Sequence, residues 1–119
     1  MAADFAAFIT RDVVVVIEDT GDVCGFMVGW PEQDAYLIDN IAVDPAAQGR
    51  GLGRKLIEHA VSEARRSGLL ALRLYTNAAM TENLAMYRGI GFVETYRAVE
   101  NGLNRVYMRW TLPLSLIHI

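Results

Sequence analysis

Three glycines and three cations fall within eight residues of the sequence, QGRGLGRK at positions 48–55. Glycines at alternate positions leave backbone N–H groups exposed, and the cations raise the local electrostatic potential. A helical pattern follows at once, so the loop also leads into a helix N-terminus with its partial positive charge. Together these features suit an anion, most often a phosphate. A glycine-rich helix entry with solvated arginines is the alternative.

Other polar residues occupy positions where chemistry or structure could use them. Asp39 stands in the otherwise apolar stretch LIDNIA, where a charge is costly to bury without a partner. It either takes a chemical role, accepting a proton or binding a cation, or makes a structural hydrogen bond at a bulge. Asn83 and Tyr87 lie four residues apart and therefore share one helix face. Asn77 ends an apolar strand, where binding a ligand and ordinary turn chemistry are equally open.

Two common phosphate loops are excluded by spacing. A Walker A loop has its second glycine five residues after the first. A dinucleotide fingerprint has its third glycine five residues after the first. Counted from Gly49, that position holds Arg54. The phosphate loop therefore belongs to another class.

Short apolar stretches and turn clusters predict the elements that carry these residues. Residues 13–19, 23–30 and 35–43 are typical of strands joined by short turns, which favours an antiparallel meander. The pattern from Leu52 to Ala64 predicts a helix that ends at Ser67 and Gly68. The order of the elements is βββ–α–β–α–ββ, a mixed α/β sheet in a single domain.

The second half of the chain completes that sheet. The stretch LLALRLYT alternates Leu70, Leu72 and Leu74 on one face, and a strand that follows a helical crossover should run parallel to the preceding one. Residues 81–91 predict a short helix, with Leu84, Ala85 and Ile90 as its candidate inward positions. Asn101 and Gly102 then predict a tight hairpin turn between two strands.

Bulk properties limit the partners. The chain has 119 residues and a net charge of -3, which supports one core and argues against a nucleic-acid surface. Its single cysteine, Cys24, lies in an apolar strand, so we expect a buried residue in a reducing cytoplasm. No apolar run reaches the roughly 20 residues that span a membrane, and no Cys/His cluster indicates a metal site.

Two stretches resemble a known family. IAVDPAAQGRGLGRKLIEHA is similar to the acetyl-CoA signature of the GNAT-type N-acetyltransferases, and NAAMTENLAMYRGIGF is similar to the second signature of that family. The matching residues are Val43, Pro45, Gln48, Gly51 and Gly53 in the first stretch, and Asn83, Tyr87, Gly91 and Phe92 in the second. The resemblance covers roughly residues 10–112.

The resemblance implies a mostly antiparallel sheet with flanking helices, in which a splayed parallel strand pair holds coenzyme A. It implies direct transfer of acetyl from acetyl-CoA to a primary amine without a metal, with Tyr87 as general acid. Asp39 is the candidate base, and Glu94, Tyr96 and Glu100 are other acceptor-side candidates. The implied coenzyme-binding residues are Ile41, Ala42, Val43, Gln48, Gly49, Arg50, Gly51, Leu52, Gly53, Arg54, Asn77, Asn83 and Tyr87, and the cations Arg50 and Lys55 are candidates for the 3′-phosphate.

The pattern departs from the family at both ends. GNAT enzymes begin with a strand and two helices that shape the acceptor site, whereas only about ten residues precede the first predicted strand. Residues 1–113 are therefore expected to be one shortened domain. The last six residues, LSLIHI, are what CTG TCT CTT ATA CAC ATC encodes, the mosaic-end adapter of transposon-based sequencing libraries. We predict that this tail is not native and that His118 has no function.

Three functions remain open from the sequence. The first is an N-acetyltransferase acting on a small-molecule or peptide amine, and the second is a coenzyme A-binding module with little or no turnover. The third, a toxin that acetylates charged tRNA, is disfavoured by the net charge of -3. The family resemblance also allows a homodimer through the paired strands near residues 92–110.

Overall fold

Seven strands form one sheet in the computed structural model, which describes residues 6–11 and 13–113. The strands lie in the order β1-β2-β3-β4-β5-β7-β6. Their bounds, with those of the two α-helices, are β1 Ala6–Arg11, β2 Val14–Asp19, β3 Asp22–Glu32, β4 Ala35–Val43, α1 Leu52–Arg66, β5 Ala71–Asn77, α2 Thr81–Ile90, β6 Val93–Glu100 and β7 Leu103–Thr111. The predicted mixed α/β sheet is confirmed.

The predicted connections are also confirmed. Strands β2, β3 and β4 pair antiparallel through short turns, and β4 pairs parallel with β5 across α1. Helix α1 ends at Ser67, and Gly68 follows with a φ of 73°. Asn101 and Gly102 both have positive φ, at 53° and 77°, as a tight turn between β6 and β7 requires.

Three details correct the sequence analysis. Strand β1 was not predicted, because a short stretch at the edge of the sheet is stabilised by pairing with β2 rather than by its own pattern. Leu70 is exposed and precedes β5, which begins at Ala71. On α2, Leu84 and Tyr87 are the buried residues, whereas Ala85 is exposed.

The core lies between α1 and one face of the sheet. Leu56, Ile57 and Ala60 are completely or almost completely buried and face β3, β4 and β5, where Met27, Ile38, Leu72 and Leu74 complete the cluster. Since side chains alternate across a strand, Tyr75 and its partner Tyr107 lie on the opposite side. We call that side, which carries Arg73, Tyr75, Arg105, Tyr107 and Arg109, the open face.

The predicted non-native tail, residues 114–119 with His118, lies outside the described residues. Cys24 is buried, as expected, and its thiol donates to the carbonyl oxygen of Asp22 at 3.4 Å. Within the described parts of the chain, no helix is both long and apolar enough to cross a membrane.

Candidate active site

Strands β4 and β5 pair over only part of their length. Ala35–Ile38 of β4 are in register with Ala71–Leu74 of β5, and beyond Ile38 and Leu74 the two strands no longer pair. Both strands continue, β4 to Val43 and β5 to Asn77, and each stays paired with its other neighbour. The strands therefore part in the middle of the sheet, as the family resemblance implied.

A β-bulge lies at the point where β4 leaves β5. Val28 pairs with Asn40 and Gly29 pairs with Ile38, so Asp39 has no counterpart on β3. Bulges re-aim the side chain of the extra residue. The Asp39 carboxylate accepts a hydrogen bond through Oδ1 from the Tyr75 hydroxyl at 3.0 Å. A place at a bulge and a chemical role, the two alternatives that the sequence left open for Asp39, are thus compatible in one residue.

A cavity of about 270 Å³ fills the gap between the parted strands. Leu74 belongs to the core beneath α1, whereas its neighbour Tyr75 belongs to the open face, so the lining includes residues from both sides of the sheet. The polar residues that line it are Asp39, Asn40, Tyr75, Thr76, Asn83 and Tyr87. The predicted acid Tyr87 and the predicted base Asp39 are therefore brought to one cavity.

Tyr87 is held by aromatic packing. The Tyr87 ring packs edge-on against the ring of Phe92, with the two centroids 5.8 Å apart. The Phe92 ring in turn packs against Trp110, with a centroid distance of 5.7 Å. Tyr87 as a whole is only 3% exposed, and burial raises the pKa of its hydroxyl above the ordinary value of 10. The hydroxyl makes no hydrogen bond to another described residue, whereas the Tyr87 carbonyl oxygen accepts from the N–H groups of Gly91 and Phe92. The hydroxyl therefore stays protonated at neutral pH, in the form that can donate a proton.

Gly91 sets the chain direction immediately after Tyr87. It ends α2 with a φ of 139°, and a Cβ there would lie 2.7 Å from the indole nitrogen of Trp110. Both facts exclude a side chain at this position. The glycine of the second family signature thus lets Phe92 and Trp110 pack behind the tyrosine.

The glycine loop, residues 48–53, leads into the start of α1. Gly51 is the N-cap of α1, with a φ of 75°, and no side chain caps the free N–H groups there. The first turn of α1 contains no acidic residue. Exposed N–H groups with no acceptor and no nearby negative charge are what an anion needs.

The helix start lies close to the parted strands. A Cβ placed on Gly53 would be 3.8 Å from Val43 at the end of β4 and 3.9 Å from Met86 of α2. Gly53 thus lies where the start of α1, the end of β4 and α2 come together. An extended ligand could therefore run from the glycine loop into the cavity.

Arg50 is already partnered. Its guanidinium forms an ion pair with Asp19, which is buried at the end of β2. The second carboxylate oxygen of Asp19, Oδ1, has no hydrogen-bond partner among the described residues. Moving Arg50 away would leave a buried carboxylate uncompensated, so its side chain serves to anchor the loop. Its backbone N–H remains available to a phosphate.

The other predicted coenzyme residues differ in what they offer. Ile41 lines the cavity, and Ala42 and Val43 follow it at the end of β4, where β4 pairs with β3 but not with β5. Gln48 and Arg54 are exposed, whereas the Leu52 side chain is buried in the core and leaves only its backbone. These positions fit recognition through backbone groups rather than through side chains.

The two asparagines have different surroundings. Asn83 lines the cavity, and its amide donates to the Met80 sulfur at 3.7 Å. The Asn77 side chain accepts from the N–H of Ala79 at 2.9 Å, which is the turn chemistry that the sequence left open. Contact of either asparagine with a coenzyme stays a prediction.

Tyr75 is a site residue that the sequence analysis did not single out. Burial, followed by the hydrogen bond to Asp39, raises the pKa of its hydroxyl. The Arg105 guanidinium lies over its ring, 4.6 Å from the centroid. The alternation of LLALRLYT could have placed Tyr75 opposite the core, but its partner Asp39 depends on the register between β4 and β5.

Beyond the cavity, the open face carries charged pairs. Glu100 accepts from the Tyr107 hydroxyl at 2.6 Å, and that hydrogen bond is the main cause that raises the pKa of Tyr107 to about 12. Arg109 donates to Asp34 at 2.8 Å and lowers the pKa of that carboxyl. No group of three or more potential metal ligands occurs among the residues that the structure describes.

Comparison with known proteins identifies the family. Residues 10–94 match the family model described as "Acetyltransferase (GNAT) domain". Over 78 residues the chain is 35% identical to the [Ribosomal protein bS18]-alanine N-acetyltransferase of Escherichia coli (strain K12), covering 66% of this chain and 53% of that protein. The chain thus spans about half the length of this relative.

Two further proteins extend the comparison. The L-methionine sulfoximine/L-methionine sulfone acetyltransferase of Salmonella typhimurium is 30% identical over 111 residues, covering 89% of this chain and 63% of that one. A crystal structure of a GNAT family acetyltransferase from Elizabethkingia anophelis with acetyl-CoA bound has a TM-score of 0.73 and 20% identity, covering 93% and 79% of the two chains. The fold, the two signatures and the family match agree, and the chain belongs to the GNAT acetyltransferase family.

Proposed function

We propose that this chain transfers an acetyl group from acetyl-CoA to the α-amine of an amino acid or a peptide. One observation carries the proposal: the cavity between the parted strands brings Asp39 and Tyr87 together beside the uncapped start of α1. A transferase of this kind needs an anion site for the donor, a proton acceptor for the amine and a proton donor for the leaving group.

Donor binding would rest mainly on backbone groups. The N–H groups of residues 48–54 would hold the pyrophosphate, with each charge-assisted hydrogen bond contributing about 1.5–3 kcal/mol. The unpaired edge of β4 near Ile41 and Val43 would bind the amides of the pantetheine arm, and an N–H there would polarise the acetyl carbonyl. Acetyl-CoA supplies the thioester that reacts. The acetyl-CoA bound in the Elizabethkingia fold neighbour supports this donor.

Proton transfer would use the two residues of the cavity. The amine attacks in its neutral form, and Asp39 takes the proton that the nitrogen must lose as the amide bond forms. Tyr87 gives its hydroxyl proton to the sulfur as the carbon–sulfur bond breaks. A proton then passes from Asp39 to Tyr87 through solvent and restores both groups. The raised pKa of Tyr87 keeps it protonated for the next cycle.

The names of the relatives support this acceptor class. The Escherichia coli relative is named for the alanine of a ribosomal protein, and the Salmonella relative for two amino-acid derivatives. An α-amine is common to both kinds of compound. Its ordinary pKa of about 7.7–8.0 lies below the value of about 10.4 for lysine, so a carboxylate such as Asp39 can deprotonate it more easily.

A second candidate function is coenzyme binding with little turnover. Within the described residues, the helices α1 and α2 both follow β4, and their buried residues belong to one core cluster, so the helices lie on the same side of the sheet. The open face, from which an amine would approach Asp39, is thus not covered by a described helix. Weak positioning of the amine would lower transfer while leaving the donor site intact.

Incubation with acetyl-CoA and two acceptors distinguishes these functions. The acceptors are a hexapeptide with N-terminal alanine and L-methionine sulfone, and mass spectrometry follows a gain of one acetyl group. We expect a product with at least one acceptor, and a much slower but measurable formation of that product with Asp39→Asn. Saturable binding of acetyl-CoA without any product would instead favour the binding module.

A further inference from the structure

We propose that Tyr75 is a positioning residue that orients Asp39 to receive the proton of the amine. The inference rests on the proposed acetyl transfer and names a residue that neither family signature contains. Three observations carry it: the place of Tyr75 at the parting of the strands, its hydrogen bond to Asp39, and the support of its ring.

Tyr75 and Asp39 face each other at the base of the gap. Ile38 and Leu74 are the last pair in register between β4 and β5, so Asp39 and Tyr75 are the first residues beyond it on their strands. Their side-chain hydrogen bond of 3.0 Å joins the strands where the backbone ladder has ended. The contact thus holds the Asp39 side chain beside the cavity, at the point where the gap begins.

Asp39 needs such a partner because it is the bulged residue of β4. A bulged residue lacks a counterpart on the neighbouring strand, so pairing there restrains its direction less. Tyr75 fixes Oδ1, whereas Oδ2 has no hydrogen bond or ion pair with the described residues. One carboxylate oxygen is therefore held and the other is free to accept a proton from an amine.

The tyrosine itself is held in place as a donor. Burial first, and then the hydrogen bond to Asp39, raise the pKa of its hydroxyl, so the proton stays on Tyr75 at neutral pH. The Arg105 guanidinium over the ring restrains the side chain from the β7 side, and Arg105 is also paired with Glu100 at 3.5 Å. Tyr75 thus offers Asp39 a fixed hydrogen-bond donor.

A double-mutant cycle tests the assignment. Tyr75→Phe, Asp39→Asn and the double variant are compared in acetyl transfer to whichever of the two α-amine acceptors the wild type uses. We expect Tyr75→Phe to lower kcat about tenfold, with the KM for acetyl-CoA unchanged within about twofold, and the double variant to be no slower than Asp39→Asn alone. Tyr107→Phe, which removes a hydroxyl bonded to Glu100 on the same face, should keep kcat within about twofold.

A second readout does not depend on activity. Absorbance at 295 nm follows tyrosine ionisation in alkaline titration, and the difference from Tyr75→Phe isolates Tyr75. Asp39→Asn should shift that ionisation to lower pH, because the carboxylate raises the pKa of Tyr75.

The outcomes separate the two proposals. Losses that multiply in the double variant, or a tenfold rise in the KM for acetyl-CoA with Tyr75→Phe, would mean that Tyr75 only maintains the gap between the strands. An unchanged alkaline titration in Asp39→Asn would contradict the hydrogen bond itself. A wild type that binds acetyl-CoA and acetylates neither acceptor would contradict the proposed function, and with it this role.

Discussion

The two sides of the cavity are built in different ways. On the side of α1, the groups available to the donor phosphates are backbone N–H groups at an uncapped helix start, and the edge of β4 that no longer pairs with β5 lies next to the Asn83 and Tyr87 side chains of α2. On the open face, they are side chains, Asp39 and Tyr75, which hydrogen-bond to each other. The first side is fixed by chain geometry and the second by contacts between distant residues.

In a family that acts on many acceptors, the two kinds of construction suit different roles. A donor common to the family can be bound by backbone, and the sequence then needs only the glycines that allow the geometry. Recognition of an amine depends on side chains, which can change while the sheet stays the same. We therefore expect substitutions in the glycine loop to alter donor binding and substitutions of Asp39, Tyr75 or Tyr87 to alter turnover.

The largest expected effect is that of Tyr87→Phe. Phenylalanine keeps the packing against Phe92 but removes the proton donor, so kcat should fall about 10²- to 10⁴-fold. The dissociation constant for acetyl-CoA should change by less than about threefold. Steady-state kinetics and calorimetry measure the two quantities. A kcat within threefold of wild type would mean that Tyr87 is a core residue and that another group protonates the sulfur.

Arg50→Ala tests the anchor of the glycine loop. It leaves the Asp19 carboxylate buried and unpaired, which should lower the free energy of unfolding by about 1–3 kcal/mol. Asp19→Asn in the same chain should restore part of that loss, since the buried charge is gone. Urea unfolding of the wild type, Arg50→Ala and the double variant measures both effects. Equal stability of wild type and Arg50→Ala would show that the pair contributes nothing to the fold.

The pH dependence of transfer is the smallest expected effect. An α-amine with a pKa near 7.8 becomes neutral between pH 7 and pH 9, so kcat/KM should rise about sevenfold over that range. Burial disfavours the charged phenolate of Tyr87 and moves its pKa upward, so no loss should occur below about pH 10. Initial rates with the peptide acceptor across this range provide the profile. A decline that begins near pH 8.5 would contradict Tyr87 as the acid.

The same contrast explains what the sequence could predict. Gly51 and Gly91 were identified from sequence because their positive φ restricts the residue type, and such restrictions leave motifs. Tyr75 was missed because its partner depends on the register of Ile38 with Leu74 and on a bulge at Asp39, neither of which is encoded locally. Strand β1 was missed for the same reason, since pairing with β2 stabilises it.

Calorimetric titration with acetyl-CoA of wild type, Gly51→Glu and Gly68→Glu tests the coenzyme site most directly. Gly51 and Gly68 lie at opposite ends of α1 with φ of 75° and 73°, and a Cβ at either would meet nothing within 4 Å. The two variants thus share the added charge and the backbone strain, and they differ in the end of α1 at which the glutamate lies. We expect saturable binding by wild type and Gly68→Glu, and at least tenfold weaker binding by Gly51→Glu, because its carboxylate would repel the pyrophosphate. Equal binding by two folded variants would contradict a phosphate site at the glycine loop.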